Sequence, residues 1–354
     1  MLEYPARPSS SSARIQGSTP YTRPVSVGPD PASLSSFHPD HVLGAGYLAC
    51  EIDLGRDREG PLLAVLVHRV PPSRPGRPVP PVLVLHGWSD YVFQRDLLEH
   101  LAAHGHDIWS LDLRRHGRAL RPWQTPTLVR DLGELDQELD AALATIGRER
   151  PPIVLAHSLG GLLAVRRTAR DPDAVAALVL NTPWLESHGG PAVRRMLTDP
   201  VTAAARRWPQ AVLPVGLPGS YGRALQRNGR TGHDLTLKPL GGHRMPIGTL
   251  AAVLRAQGDP GLRVPATVPT LVLRSRGSMP LRADGLGGHA GDLVLDVHAV
   301  ARAAGRIAPH AHQVVLDGAV HDVFLSAEPV RRRALGALDQ FLASVVPPVG
   351  CEDA

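Results

Sequence analysis

The sequence predicts an α/β fold: a mostly parallel central sheet with helices on both faces, an antiparallel hairpin ahead of it, and a long insertion before its last strands. Three observations carry this expectation. The runs "VLVLHG", "DIWSLDL", "PIVLAHS", "VAALVL" and "TLVLRS" are short and continuously apolar, as strands buried on both faces must be. Helix-forming stretches separate several of them, and strands alternating with helices build parallel sheets. Ahead of them, "YLACEIDL" and "LLAVLVHRV" flank the charged turn "GRDREGP" and read as an antiparallel hairpin.

Taken in chain order, residues 1–40 are Pro/Ser-rich without a sustained apolar period and read as a disordered tail. The core of the fold is expected over 41–182 and 263–346. Within it, "RDLLEHLAAHG" reads as a helix closed by Gly105. Leu128, Leu132, Leu135, Leu139, Leu143 and Ile146 recur at steps of three and four, which predicts an amphipathic helix with its acids turned outward. Between 183 and 262, Gly, Pro and Arg accumulate and no strong strand appears, so this stretch is an insertion between two strands. Residues 347–354 read as a C-terminal tail.

Composition narrows the function. Of the 354 residues, 43% are hydrophobic, the fraction of a water-soluble globular chain. No apolar run approaches the roughly 20 residues that span a bilayer, so no transmembrane segment is expected, while peripheral membrane contact stays compatible. The N-terminus lacks the apolar stretch of a secretory signal. Cys50 and Cys351 make no disulfide framework, and a cytoplasmic location is expected. The net charge of +5 comes almost wholly from arginine, Lys238 being the one lysine. These arginines are scattered and aromatics are few, so no nucleic-acid partner is expected.

The chemistry centres on "PPIVLAHSLGGLLAVRRTAR". Ser158 stands between an apolar strand and a helix-forming run, flanked by Ala156 and Gly160. A nucleophilic serine on such a strand–turn–helix corner needs small neighbours two positions to either side. A helix N-cap serine would satisfy the same position. The amide of Leu159, at the positive end of the following helix, is a natural donor to a developing oxyanion.

With "VLVLHGWSDY", "LDLRRHGRAL" and "GAVHDVF" added to "AHSLGG", the chain resembles the α/β hydrolases of the monoacylglycerol lipase, lysophospholipase and serine aminopeptidase-like branch, over residues 42–345. The resemblance implies a Ser-His-Asp acyl-enzyme mechanism, a second oxyanion donor in the amide of Trp88, a cap formed by 183–262, and no cofactor. His86 would support the Trp88 loop, or is simply a buried strand-end histidine. Arg115 and Ala119 depart from the Gly and Ser usual in the second motif, which bears on loop packing.

Seventeen histidines are present, so position must choose the base. His321 follows the strand-like "HQVVLD" near the end of the chain, which fits the order nucleophile, acid, base. His104/His106 and His310/His312 lack an acidic neighbour at ligand spacing, and no metal is expected. In relatives the acid follows the strand equivalent to "TLVLRS" within a few residues. The shortest alignment puts Ser278 there. A longer one, on "DLVLDVHAVARAAGRIA", selects Asp292, 29 residues before His321, with 276–291 as an inserted loop. Asp296, better suited as the N-cap of the next helix, and Asp284, inside the loop, are the alternatives.

The expected function is a serine hydrolase of carboxylic esters, with a small-molecule, lipid-like substrate of the lysophospholipase or monoacylglycerol lipase kind. An aminopeptidase or amidase of the same fold and a catalytically silent binding protein are the alternatives. Trp184, Leu185, Trp208, Leu213 and Tyr221 would line an acyl pocket or pack the cap onto the core. The insertion carries few acids (Glu186, Asp199, Asp234 and Asp259) to hold a substrate amine, which favours neutral esters.

Overall fold

In a computed structural model, the protein is described over residues 35–69, 79–213, 222, 225, 233–279 and 291–345. Its strands are β1 (His38–Pro39), β2 (Tyr47–Asp57), β3 (Gly60–Arg69), β4 (Val82–Leu85), β5 (Ile108–Asp112), β6 (Ile153–His157), β7 (Ala177–Asn181), β8 (Thr270–Ser275) and β9 (His312–Leu316). They form one sheet in the order β1-β2-β3-β5-β4-β6-β7-β8-β9. The pairs β1–β2, β2–β3 and β3–β5 are antiparallel, and all later pairs are parallel.

Every residue of β4, β5, β6 and β7 is buried, the reason these runs carry no polar alternation. Successive side chains still divide between two cores. Leu83, Leu85, Leu178 and Leu180 face one, and Val82, Val84, Ala177 and Val179 the other. The helices are α1 (Arg95–Ala103), α2 (Asp136–Ile146), α3 (Leu159–Arg170), α4 (Gly190–Arg207), α5 (Ile247–Gln257), α6 (Val297–Ile307) and α7 (Glu328–Val345). Apolar residues of α2, α3 and α6 fill the first core, and those of α1 and α7 the second. Helices α4 and α5 lie in the long connection from β7 to β8 and pack on each other. No helix among the described residues is long and apolar enough to cross a membrane.

Three expectations need correction. Part of the stretch read as tail joins the sheet, because His38–Pro39 pair with Leu48–Ala49; residues 1–34 and 346–354 lie outside the described residues. The amphipathic helix begins at Asp136, not near Leu128. Asp131 and Glu134 form a capping box around a 3₁₀ turn at Leu132–Leu135, and such a box fixes where helical winding can start. The acids of α2 are not all outward: Glu138 is buried in a two-pronged pair with Arg114, at 3.0 and 2.6 Å, and Asp136 is buried against Arg170.

The sheet order reverses at β4, which lies between β5 and β6. Loops leaving the carboxyl ends of β4 and β6 therefore diverge from a common crevice, where open α/β sheets bind their ligands.

Candidate active site

Ser158 occupies that crevice, between the end of β6 and the start of α3. Its φ of 51° and ψ of −113° lie in a region that side chains other than glycine's adopt at a cost of about 1–3 kcal/mol. Its neighbours make this turn possible. A Cβ on Gly160 would meet the His86 carbonyl oxygen at 2.5 Å, and one on Gly161 would meet the Pro183 Cβ at 2.6 Å. The backbone is held by the Ser158 amide donating to the Asn181 carbonyl (3.1 Å) and the Trp184 amide donating to the Ser158 carbonyl (2.9 Å).

The loop after β4 lies against the serine: a Cβ on Gly87 would sit 3.0 Å from that of Ser158. His86 braces this loop. Its Nε2 accepts from the Leu113 amide at 3.0 Å, so the proton is on Nδ1, which donates to the Gly87 carbonyl at 2.7 Å. The Trp88 indole donates to Thr127 Oγ1 at 3.0 Å. The Trp88 amide donates to no described backbone carbonyl, and that of Leu159, the first residue of α3, has no carbonyl one helical turn back to bond.

Residues from the β7–β8 connection grip the far side of the loop. Lys238 Nζ lies 2.7 Å from Asp90 Oδ1, both side chains being buried. The His243 amide donates to Ser89 Oγ at 2.6 Å and the Asp234 amide to the Tyr91 hydroxyl at 2.6 Å. Burial pushes the Asp90 carboxyl up, but the Lys238 ammonium and the His157 and His86 rings together hold it below the usual range.

His321 follows β9. Its Nδ1 lies 2.9 Å from Asp292 Oδ2. A carboxylate only accepts, so Nδ1 carries the proton and Nε2 the lone pair. Asp292 is fully buried. Burial raises its carboxyl, yet His321 and the amides of Leu295 (2.9 Å) and Val294 (2.7 Å) bring it below the ordinary value. Tyr91, Phe93, Leu293, Val320 and Leu325 form a separate apolar cluster that joins the β4 loop to the segments carrying Asp292 and His321. The His321 ring tilts against that of His157, the neighbour of Ser158, at 4.7 Å.

Asp296 accepts from the amides of His298 and Ala299, both at 3.0 Å, as the N-cap of α6. Asp284 and Tyr221 lie outside the described residues. Two residues that sequence reasoning missed tie the site together. Asp322 accepts from Asn181 Nδ2 (2.8 Å) and Gln94 Nε2 (2.9 Å), and Asn181 Oδ1 accepts from the Val323 amide (3.2 Å). A polar residue ending the apolar run "VAALVLN" was the one available signal.

Arg115 takes the position of the glycine usual in relatives, and its φ is 59°, the left-handed region that glycine enters freely. Its buried guanidinium is anchored to Asp57 at 2.5 Å and Glu59 at 3.0 Å in the β2–β3 hairpin, and to the Leu128 carbonyl at 2.8 Å.

Residues 80–211 match the family model of the alpha/beta hydrolase fold. The structure is similar to that of a soluble variant of monoglyceride lipase from Saccharomyces cerevisiae, with a TM-score of 0.60 and 15% identity, covering 83% of this chain and 96% of that one. The chain has the α/β-hydrolase fold. In sequence, 139 residues are 36% identical to lipase LipV of Mycobacterium tuberculosis, covering 38% of this chain and 48% of that protein. A further 113-residue match, at 28% identity, is to a monoacylglycerol lipase of Mycolicibacterium smegmatis, covering 31% of this chain and 39% of the relative. The chain thus spans less than half the length of these two relatives.

Proposed function

We propose that this protein hydrolyses carboxylic esters through an acyl-enzyme on Ser158. One observation carries the reading: a serine on a strained strand–helix corner adjoins, through His157, a histidine whose Nδ1 is committed to a buried carboxylate. Ser158 Oγ attacks the ester carbonyl as His321 Nε2 takes its proton. Asp292 keeps the proton on Nδ1 and stabilises the imidazolium. The amides of Leu159 and Trp88 hold the oxyanion, which fixed backbone donors do without reorganising. His321 then returns the proton to the leaving alkoxide and the alcohol departs. Water attacks the acyl-enzyme by the same route, releasing the acid and restoring Ser158. The constellation needs no cofactor.

The substrate class rests on two supports. The relatives in sequence are named as a lipase and a monoacylglycerol lipase. The β7–β8 connection also exposes Met196, Leu197, Trp208, Val212 and Leu235, apolar surface suited to a lipid-like ester or a membrane face. We therefore assign a neutral ester of a fatty acid, met by a protein acting in the cytoplasm, with this connection as the cap over the site.

A fluorophosphonate probe tests the nucleophile. Labelling of Ser158, located by peptide mass spectrometry and abolished in Ser158→Ala, is the expected result. A folded wild-type chain that resists the probe would overturn the reading and favour a silent binding protein.

A further inference from the structure

Away from Ser158, three side chains with metal-ligating atoms converge between α1 and α7. His100 lies in the last turn of α1, and His104 caps that helix four residues on. Asp339 comes from α7. His100 Nε2 is 2.7 Å from Asp339 Oδ1, and His104 Nε2 is 3.9 Å from the same oxygen. One donor atom from each residue lies within 4.8 Å of the other two, and the two rings are 4.7 Å apart.

The tautomer of His104 is already set for ligation. Its Nδ1 lies 2.9 Å from the His100 carbonyl oxygen, so Nδ1 holds the proton and Nε2 presents a lone pair to Asp339. A ligating histidine normally gives its second N–H to a carbonyl or carboxylate, which fixes the ring. Ligands of a tetrahedral zinc, at about 2.0–2.1 Å from the metal, stand roughly 3.3 Å apart. The separations of 2.7 and 3.9 Å bracket that value, so small side-chain rotations would bring all three onto one ion. Two imidazoles and one carboxylate suit zinc and its transition-metal neighbours, whereas calcium and magnesium require oxygen cages.

We propose that His100, His104 and Asp339 bind a divalent transition cation of zinc's chemistry, with water completing the tetrahedron. Sequence reasoning had expected no metal, since it paired His104 with His106 and found no acid nearby; the acid comes from the far end of the chain. The site links the helix that follows the Trp88 loop to the helix that follows the His321 loop, both on one face of the sheet. A cation held only by the folded chain stabilises it by mass action, so the site is a staple for that face and takes no part in the hydrolysis.

The test is zinc titration of the full chain, free of any affinity tag, by isothermal calorimetry, with melting temperature as a second readout. One equivalent of Zn²⁺ should bind and raise the melting temperature. His104→Ala and Asp339→Asn should each weaken binding by about tenfold or more and abolish the thermal shift. Both side chains are partly exposed, so the variants should stay folded, which circular dichroism checks. A folded wild type that takes up no zinc would overturn the proposal. So would uptake unchanged in both variants, which would assign the ion to others of the seventeen histidines.

Discussion

Ser278 and Asp292 are partners in a parallel bridge, and the second of the pair carries the carboxylate that meets His321. The bridge is closed by the Asp292 amide donating to the Gly277 carbonyl (2.9 Å) and the Met279 amide donating to the Asp292 carbonyl (2.7 Å). Asp292 is thus held beside residues 277–279, which follow the end of β8. Asp292 enters next to the position that a direct extension of β8 would reach. Ser278 braces the return, its hydroxyl donating to the Leu295 carbonyl (2.7 Å) and accepting from the Val297 amide (2.9 Å).

This arrangement separates the two neighbouring aspartates experimentally. Asp292→Asn should lower kcat on an activated ester by about 10⁴-fold with the fold intact, because an amide favours the wrong histidine tautomer. Asp296→Asn should leave kcat unchanged, since asparagine caps a helix about as well as aspartate. Asp296→Ala should cost about 1 kcal/mol of stability with kcat still unchanged. Steady-state kinetics and urea unfolding on the three variants read this directly.

The buried Lys238–Asp90 pair fastens the β7–β8 connection to the Trp88 loop. Lys238→Met leaves a buried carboxylate without its cation and should cost about 3–5 kcal/mol. It should also lower kcat, because the loop carrying the proposed oxyanion donor Trp88 loses its outer anchor. Adding Asp90→Asn should recover a large part of the stability. A double variant no better than Lys238→Met would show that the pair is not coupled.

At position 115 the backbone and the side chain pull in opposite directions. Both Arg115→Gly and Arg115→Ala lose the pairing with Asp57 and Glu59. Only glycine also relieves the left-handed backbone, whose cost for other residues is roughly 1–2 kcal/mol. Arg115→Gly should therefore be more stable than Arg115→Ala by about 1 kcal/mol in denaturant unfolding.

The buried histidines give a distinct pH signature. Burial, then the nearby His86 ring, pushes His116 down to about 3, and burial likewise lowers His106, His157, His233 and His243. Below the usual histidine value of about 6.5 the unfolded chain binds protons that the folded chain refuses. Stability is then lost as pH falls, by about 1.4 kcal/mol per pH unit for each such proton. Asp90 and Asp292 are lowered carboxylates, and what they contribute is lost only below the ordinary carboxylate range, around pH 4. Unfolding free energy should fall from pH 7 to pH 5, and His116→Gln should flatten that slope by about one proton's worth.

The parts of this molecule legible in its sequence are those whose signal is local. Strands β4 to β7 are four or five residues long and apolar but for Ser110, Asp112, His157 and Asn181, because both of their faces are covered. The Ser158 corner announces itself because Gly160 and Gly161 have no room for a side chain. Asp292 stands out from Asp284 by the helix that follows it, and from Asp296 because that residue caps the helix. What stayed hidden depends on partners distant in the chain. Glu138 looks like an outward charge on an amphipathic helix until Arg114 is beside it. Asp90 with Lys238, Asp322 with Asn181, and Asp339 with His100 are all pairs that periodicity does not encode. A single sequence marks which face is apolar; it does not mark which charge is neutralised within it.

The central claim is ester hydrolysis by Ser158, and initial rates on p-nitrophenyl esters from acetate to palmitate test it most directly. Wild type should turn over with an optimum at the longer acyl chains, and Ser158→Ala should reduce the rate to background at every length. Activity that survives in Ser158→Ala, or a folded wild type inactive on every ester, would contradict the account.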